Sequence, residues 1–102
     1  MNKTLIQKSE IFDLIVNCYQ TDSDLVSKFH VTPGKLSDCV DRTVSDFLVN
    51  DVKIFKLDNE GDLVGYFGQI DTFLNGFFLM PKYRKTHKDA FWNMITDHFN
   101  NS

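Results

Sequence analysis

Between Val52 and Met80 three strand-like runs follow one another with only short turns between them, which constrains the chain to a small antiparallel sheet. Val52 to Leu57 and Leu63 to Ile70 flank Asp58-Asn59-Glu60-Gly61-Asp62, a hairpin loop in which Gly61 is available for positive φ. Asp71-Thr72 turns the chain again. Phe73 to Met80 makes the third run, interrupted by Asn75-Gly76, and Pro81 stops it.

The segments before and after this sheet carry the helical period. Lys3 to Gln7 reads as a short extended start. Ser9 is placed to cap a helix whose Ile11, Leu14, Ile15, Cys18 and Tyr19 share a face. Thr21-Asp22-Ser23-Asp24 breaks the pattern, and a short second helical piece with Leu25, Val26 and Phe29 follows. Thr32-Pro33-Gly34 is a helix start, with Thr32 as N-cap and Pro33 in the first helical position. The helix after it sets Leu36, Cys39, Val40, Val44, Phe47 and Leu48 in one stripe, with Asp38, Asp41, Arg42 and Ser45 opposite. Asn50-Asp51 ends it. After the strands, Thr86 is placed to cap a last helix with Phe91, Met94, Ile95 and His98 on one face. The expected fold is α+β, one domain over residues 1–102, in the order (β)-α-α-α-β-β-β-α.

Composition narrows the function classes. Hydrophobic residues are 42% and aromatic residues 14% of the 102, enough for a packed core. Ten Phe against one Trp favour dry cores and dry interfaces over hydrogen-bonding sites. The net charge of -3 argues against a nucleic-acid partner, since the one basic cluster (Lys82, Arg84, Lys85, Lys88) lies between acidic stretches. No apolar run approaches the ~20 residues that span a bilayer, and the mixed N-terminal segment does not read as a signal peptide. Cys18 and Cys39 both fall on apolar helix faces and are expected as buried, reduced thiols in a cytoplasmic protein.

Catalytic and metal patterns are weak. His30, His87 and His98 are scattered, without i, i+4 spacing or a cysteine pair. Neither cysteine has a patterned His or Asp, no Ser sits in a G-x-S-x-G elbow, and the pairs Asp22/Asp24 and Glu60/Asp62 occupy turns. Catalytic, metal and cofactor residues are all expected to be absent.

One segment rises above this background. The run of strand, Asp-x-x-Gly turn, strand with Val64-Gly65, apolar strand ending in Met80-Pro81, Tyr83-Arg84 and helix resembles the central part of the GNAT superfamily of N-acetyltransferases. The earlier helices stand where that family has its first two, and at residue level the match lies at Gly65 and Leu79 to Arg84. The resemblance implies a loop of the form Arg/Gln-x-x-Gly-x-Gly/Ala, whose bare amides at a helix start hold the pyrophosphate of acetyl-CoA. Arg84 matches its first position, but His87 and Asp89 fill the glycine positions; a frame starting at Lys85 and ending at Ala90 leaves Lys88 in the middle. Thr86-x-x-Asp89 has the spacing of a capping box that would satisfy those amides and set a carboxylate at the anion site. The family also continues past this helix with a strand and further elements that complete the cleft, while the sequence stops at Ser102.

These departures lead to a non-catalytic interaction module with a degenerate acetyltransferase-like fold, expected as a bacteriophage virion or connector component, in the cytoplasm during assembly and then in the particle. The alternatives are a minimal acetyltransferase completed by a second chain and a phage inhibitor of a host protein. The expected partner is protein, self or other, and neither nucleic acid nor membrane. Its surface is expected on the uncharged run Phe73–Met80, at Phe73, Phe77, Phe78 and Leu79, unless the N-terminal strand or the last helix folds over that edge.

Overall fold

The structure, a computed structural model, describes residues 1–21 and 33–101, without the side chains of residues 33–36. Among them a four-stranded antiparallel sheet carries helices on both faces. In chain order the elements are β1 (Asn2–Leu5), a 3-10 turn (Lys8–Glu10), α1 (Ile11–Thr21), α2 (Pro33–Val49), β2 (Lys53–Asn59), β3 (Asp62–Ile70), β4 (Phe73–Leu79), a second 3-10 turn (Pro81–Tyr83) and α3 (Lys88–Asn100). The strand order is β1-β2-β3-β4. The expected short helix at Leu25, Val26 and Phe29, the cap Thr32 and the side chain of Leu36 lie outside the described residues.

The β2–β3 hairpin is tighter than the sequence implied. Both strands run on until only Glu60 and Gly61 remain between them, at φ 54° and 82°. Two successive positive φ values are what a type I′ turn requires, and its twist matches that of the strands it joins. In β3, Val64 is an extra residue between the Leu57–Gly65 and Asp58–Leu63 pairs. That bulge turns Val64 onto the same face as Phe67. A second irregularity sets Asn75 and Gly76 of β4 against Gly68 alone. Here the two chains are so close that a Cβ at Gly68 would collide with the Asn75 carbonyl oxygen, and one at Gly65 with that of Phe78.

Two cores result. On one face α1 and α2 bury Ile11, Leu14, Ile15, Cys18, Val40 and Phe47 against Val52, Ile54, Tyr66 and Met80. On the other, Phe91 and Ile95 of α3 pack on Leu57, Val64 and Phe67. Tyr19 Oη and Thr43 Oγ1, 3.3 Å apart, tie α1 to α2.

Two local expectations are corrected. α2 buries Val40 and Phe47 with Val44 half-buried between them, a line narrower than the stripe read from the sequence; Leu48 and Cys39 flank it and are exposed. A helix resting on a sheet buries only the strip that touches it, and both residues sit a large rotation from its centre. Ser9 is not a cap: it lies inside the first 3-10 turn, where the Gln7 amide donates to Glu10 Oε2 at 2.7 Å.

Candidate interaction surface

β4 pairs with β3 on one side, and among the described residues no strand lies on the other. The N-terminal strand does not close this edge, because β1 pairs with β2 at the opposite end of the sheet. The Met80 amide donates to the Val64 carbonyl at 2.8 Å. In an antiparallel pair every second residue turns its backbone polar groups to the neighbour. Phe78 and Met80 therefore face β3, while Phe77 and Leu79 face the open side.

The side chains named for this surface separate into two groups. Phe73 is 72% exposed and Phe77 51%, and Leu74, not singled out in the sequence, is exposed beside them. Phe78 and Leu79 are half-buried. Phe78 packs into the first core, with its ring 6.3 Å from that of Tyr66 and 6.1 Å from that of Tyr19, and Leu79 packs against the second.

Arg84 guards one end of the edge. Its Nε donates to the Leu79 carbonyl oxygen at 2.9 Å, and its guanidinium carbon lies 5.4 Å from the Phe78 ring centre. Beside it a groove of about 480 Å³ runs between β4 and the first turns of α3, lined by Phe77, Phe78, Leu79, Arg84, Lys88, Phe91 and Trp92. The Phe77 and Trp92 rings meet edge to face at 4.8 Å. Trp92 was missed in the sequence because its position on α3 lies between the buried Phe91 and Ile95 and the solvent.

The start of α3 corrects a further expectation. Its N-cap is His87, without a side-chain cap, so the Thr86–Asp89 capping box does not form. Thr86 Oγ1 lies 2.8 Å from His87 Nδ1, and the His87 ring packs edge to face on Tyr83 at 4.7 Å. The physical cause is the Pro81–Tyr83 turn, which draws the His87 amide to the Tyr83 carbonyl at 2.9 Å and delays the helix by one residue. Asp89 remains an exposed carboxylate in the first turn.

Charges around the groove are unevenly matched. Lys82 is paired with Asp62, which also accepts from Tyr83 Oη at 2.5 Å. Those two partners hold the Asp62 carboxyl below the usual carboxylate range, and its charge raises the Tyr83 phenol. Among the described residues neither Lys85 nor Lys88 has an ion pair.

The other residues considered for chemistry are apart from one another. Burial pushes the Cys18 thiol up to about 12, which suppresses the reactive thiolate, whereas Cys39 lies on the α2 surface. That exposure corrects the expectation of two buried thiols. His98 is structural: Nδ1 lies 2.7 Å from Lys3 Nζ and Nε2 2.7 Å from Gln69 Oε1, and the ring packs on Phe55 and Phe67. His30 lies outside the described residues, and no group of His, Cys, Asp and Glu suited to a metal occurs among the described ones. No helix among them is long and apolar enough to cross a membrane. No protein-family model matches the chain, and no curated protein or solved structure matches it either.

Proposed function

We propose that this chain is a non-catalytic protein-interaction domain built on an acetyltransferase-like arrangement, acting through the β4 edge as a bacteriophage virion or connector component. The observation that carries the reading is the combination at β4: open backbone groups at Phe77, exposed Phe73 and Phe77 rings, and no charged side chain from Phe73 to Leu79. A lone protein usually guards such an edge with lysine, proline or a covering element. Support for the acetyltransferase-like arrangement comes from the β1-β2-β3-β4 order with helices on both faces. The non-catalytic reading draws on Arg84, which is engaged with Leu79, and on His87 and Asp89 where the superfamily has glycine. The phage assignment draws only on the Asn-, Asp-, Lys- and Phe-rich usage of an AT-rich genome.

A specific observation favours acetyl-CoA binding as the second reading: the first amides of α3 lack a side-chain cap and lie by Lys88 and the groove. Two measurements on the full chain separate them. Titration calorimetry with acetyl-CoA is expected to show no saturable binding at millimolar ligand, and a micromolar isotherm overturns the non-catalytic reading. Native-level purification is expected to recover the chain in an assembly that Phe77→Asp disperses while the isolated chain still unfolds cooperatively. A chain that stays monomeric at high concentration and copurifies with nothing ends the interaction reading.

A further inference from the structure

The groove beside β4 has a floor, a wall and a mouth of different chemistry, and together they describe an occupant. Its floor is the edge strand itself, where Phe77 turns both backbone polar groups outward. At Leu79 a donor already sits on the carbonyl, the Nε of Arg84 at 2.9 Å, where the N–H of an added strand would otherwise stand. One wall is aromatic. Phe77 meets Trp92 at 4.8 Å, Trp92 meets Phe91 at 5.6 Å, and the volume of about 480 Å³ admits a large side chain with its flanking backbone.

The mouth is cationic. Lys88 lines the groove, is exposed, and makes no ion pair among the described residues, even with Asp89 beside it in the sequence. Lys85 is likewise exposed and without an ion pair there, while Lys82 is neutralised by Asp62. The chain as a whole carries -3. In a chain that is negative overall, a negatively charged partner is drawn to the region around Lys85 and Lys88.

We propose that this groove receives an extended segment of a protein partner that pairs with β4 and carries a large apolar side chain next to a carboxylate. The apolar side chain enters the groove over Leu79 and Phe91, against the joined Phe77 and Trp92 rings, and the carboxylate reaches Lys88. Pairing with the Phe77 backbone, the part of the edge that Arg84 leaves open, supplies affinity without regard to sequence, and the pocket and the lysine supply the selection. The proposal rests on the reading of β4 as an interaction edge and adds the chemistry of what it binds.

The test is a display selection of random peptides of about nine residues, long enough for one strand, on the full chain. Recovered peptides are expected to place Asp or Glu within two residues of Phe, Leu, Trp or Met. Their affinity, read by fluorescence anisotropy, is expected to fall about tenfold or more with Lys88→Glu and with Trp92→Ala. Lys88 is on the surface, so Lys88→Glu keeps the question open to measurement if Trp92→Ala fails to fold. Recovery of peptides without an acidic preference, or affinity indifferent to Lys88→Glu, overturns the acidic partner and leaves the β4 edge standing if Phe77→Asp still abolishes binding. Peptides indifferent to Phe77→Asp, no enrichment at all, or displacement of bound peptide by an oligonucleotide overturns the proposal together with its place on β4.

Discussion

Arg84 Nε holds the carbonyl oxygen of Leu79 at 2.9 Å, five residues back along its own chain, so the cation closes part of the strand edge that precedes it. The contact spans the Pro81–Tyr83 turn, which swings the chain back over β4 before α3 begins. Arg84, expected from the sequence at the first position of a phosphate loop, lies instead against the β4 edge.

Replacing that guard tests the role directly. Arg84→Ala removes a charge-assisted hydrogen bond and a cation–π contact, and is expected to cost about 1–2 kcal/mol of stability. It also exposes the Leu79 carbonyl, so sedimentation velocity is expected to show more self-association at equal concentration. A variant that is both less stable and less associated contradicts the edge-guard role.

The correction on α2 predicts a contrast between neighbours. Phe47 is buried against Tyr66, with the rings edge to face at 6.2 Å, while Leu48 is exposed. Phe47→Ala is expected to cost roughly 3–5 kcal/mol in urea denaturation and Leu48→Ala within about 0.5 kcal/mol of nothing. Equal losses would mean the helix is rotated from the position described.

Close strand approach makes a further prediction at Gly65. A Cβ there meets the backbone carbonyl of Phe78, which cannot move aside as a flexible side chain can. Gly65→Ala is expected to destabilise by about 2–3 kcal/mol and to shift the β3–β4 amide signals in NMR spectra. Alanine at Gly61, where nothing crowds the Cβ but φ is 82°, is expected to cost less, by backbone strain alone.

His98 gives stability a pH dependence of known sign. Burial, and then the nearby Lys3 charge, lower its pKa below the ordinary histidine value. The unfolded chain therefore binds the proton more readily. Stability from this group is complete above about pH 6.5 and declines as the pH falls through the lowered folded value. Protonation sets a second cation against Lys3 and costs Nδ1 its role as acceptor. Thermal melts between pH 7 and pH 5 are expected to show the decline, and His98→Gln to flatten that part of it.

The two cysteines differ in reach. Alkylation of the native chain with iodoacetamide, followed by mass spectrometry, is expected to modify Cys39 and spare Cys18 until the protein is unfolded. Modification of Cys18 at the same rate would show that the α1 core opens readily.

The α+β class and the antiparallel pairing of β2, β3 and β4 were legible along the chain. Turns as short as Glu60-Gly61 and Asp71-Thr72 leave β2, β3 and β4 only antiparallel neighbours, and the Phe91 and Ile95 spacing could bury only one side of α3. Other features depend on how the elements pack and are encoded by no local pattern. The bulge at Val64 reverses which face a residue takes, and the depth of α2 on the sheet leaves Leu48 and Cys39 outside. The pairing of β1 with β2 leaves β4 without a second strand neighbour among the described residues, and Lys3 meets His98 across 95 positions. The groove at Trp92 and Lys88 belongs to this second kind, since its walls come from a strand and a helix whose separation is set by core packing and not by spacing along the chain.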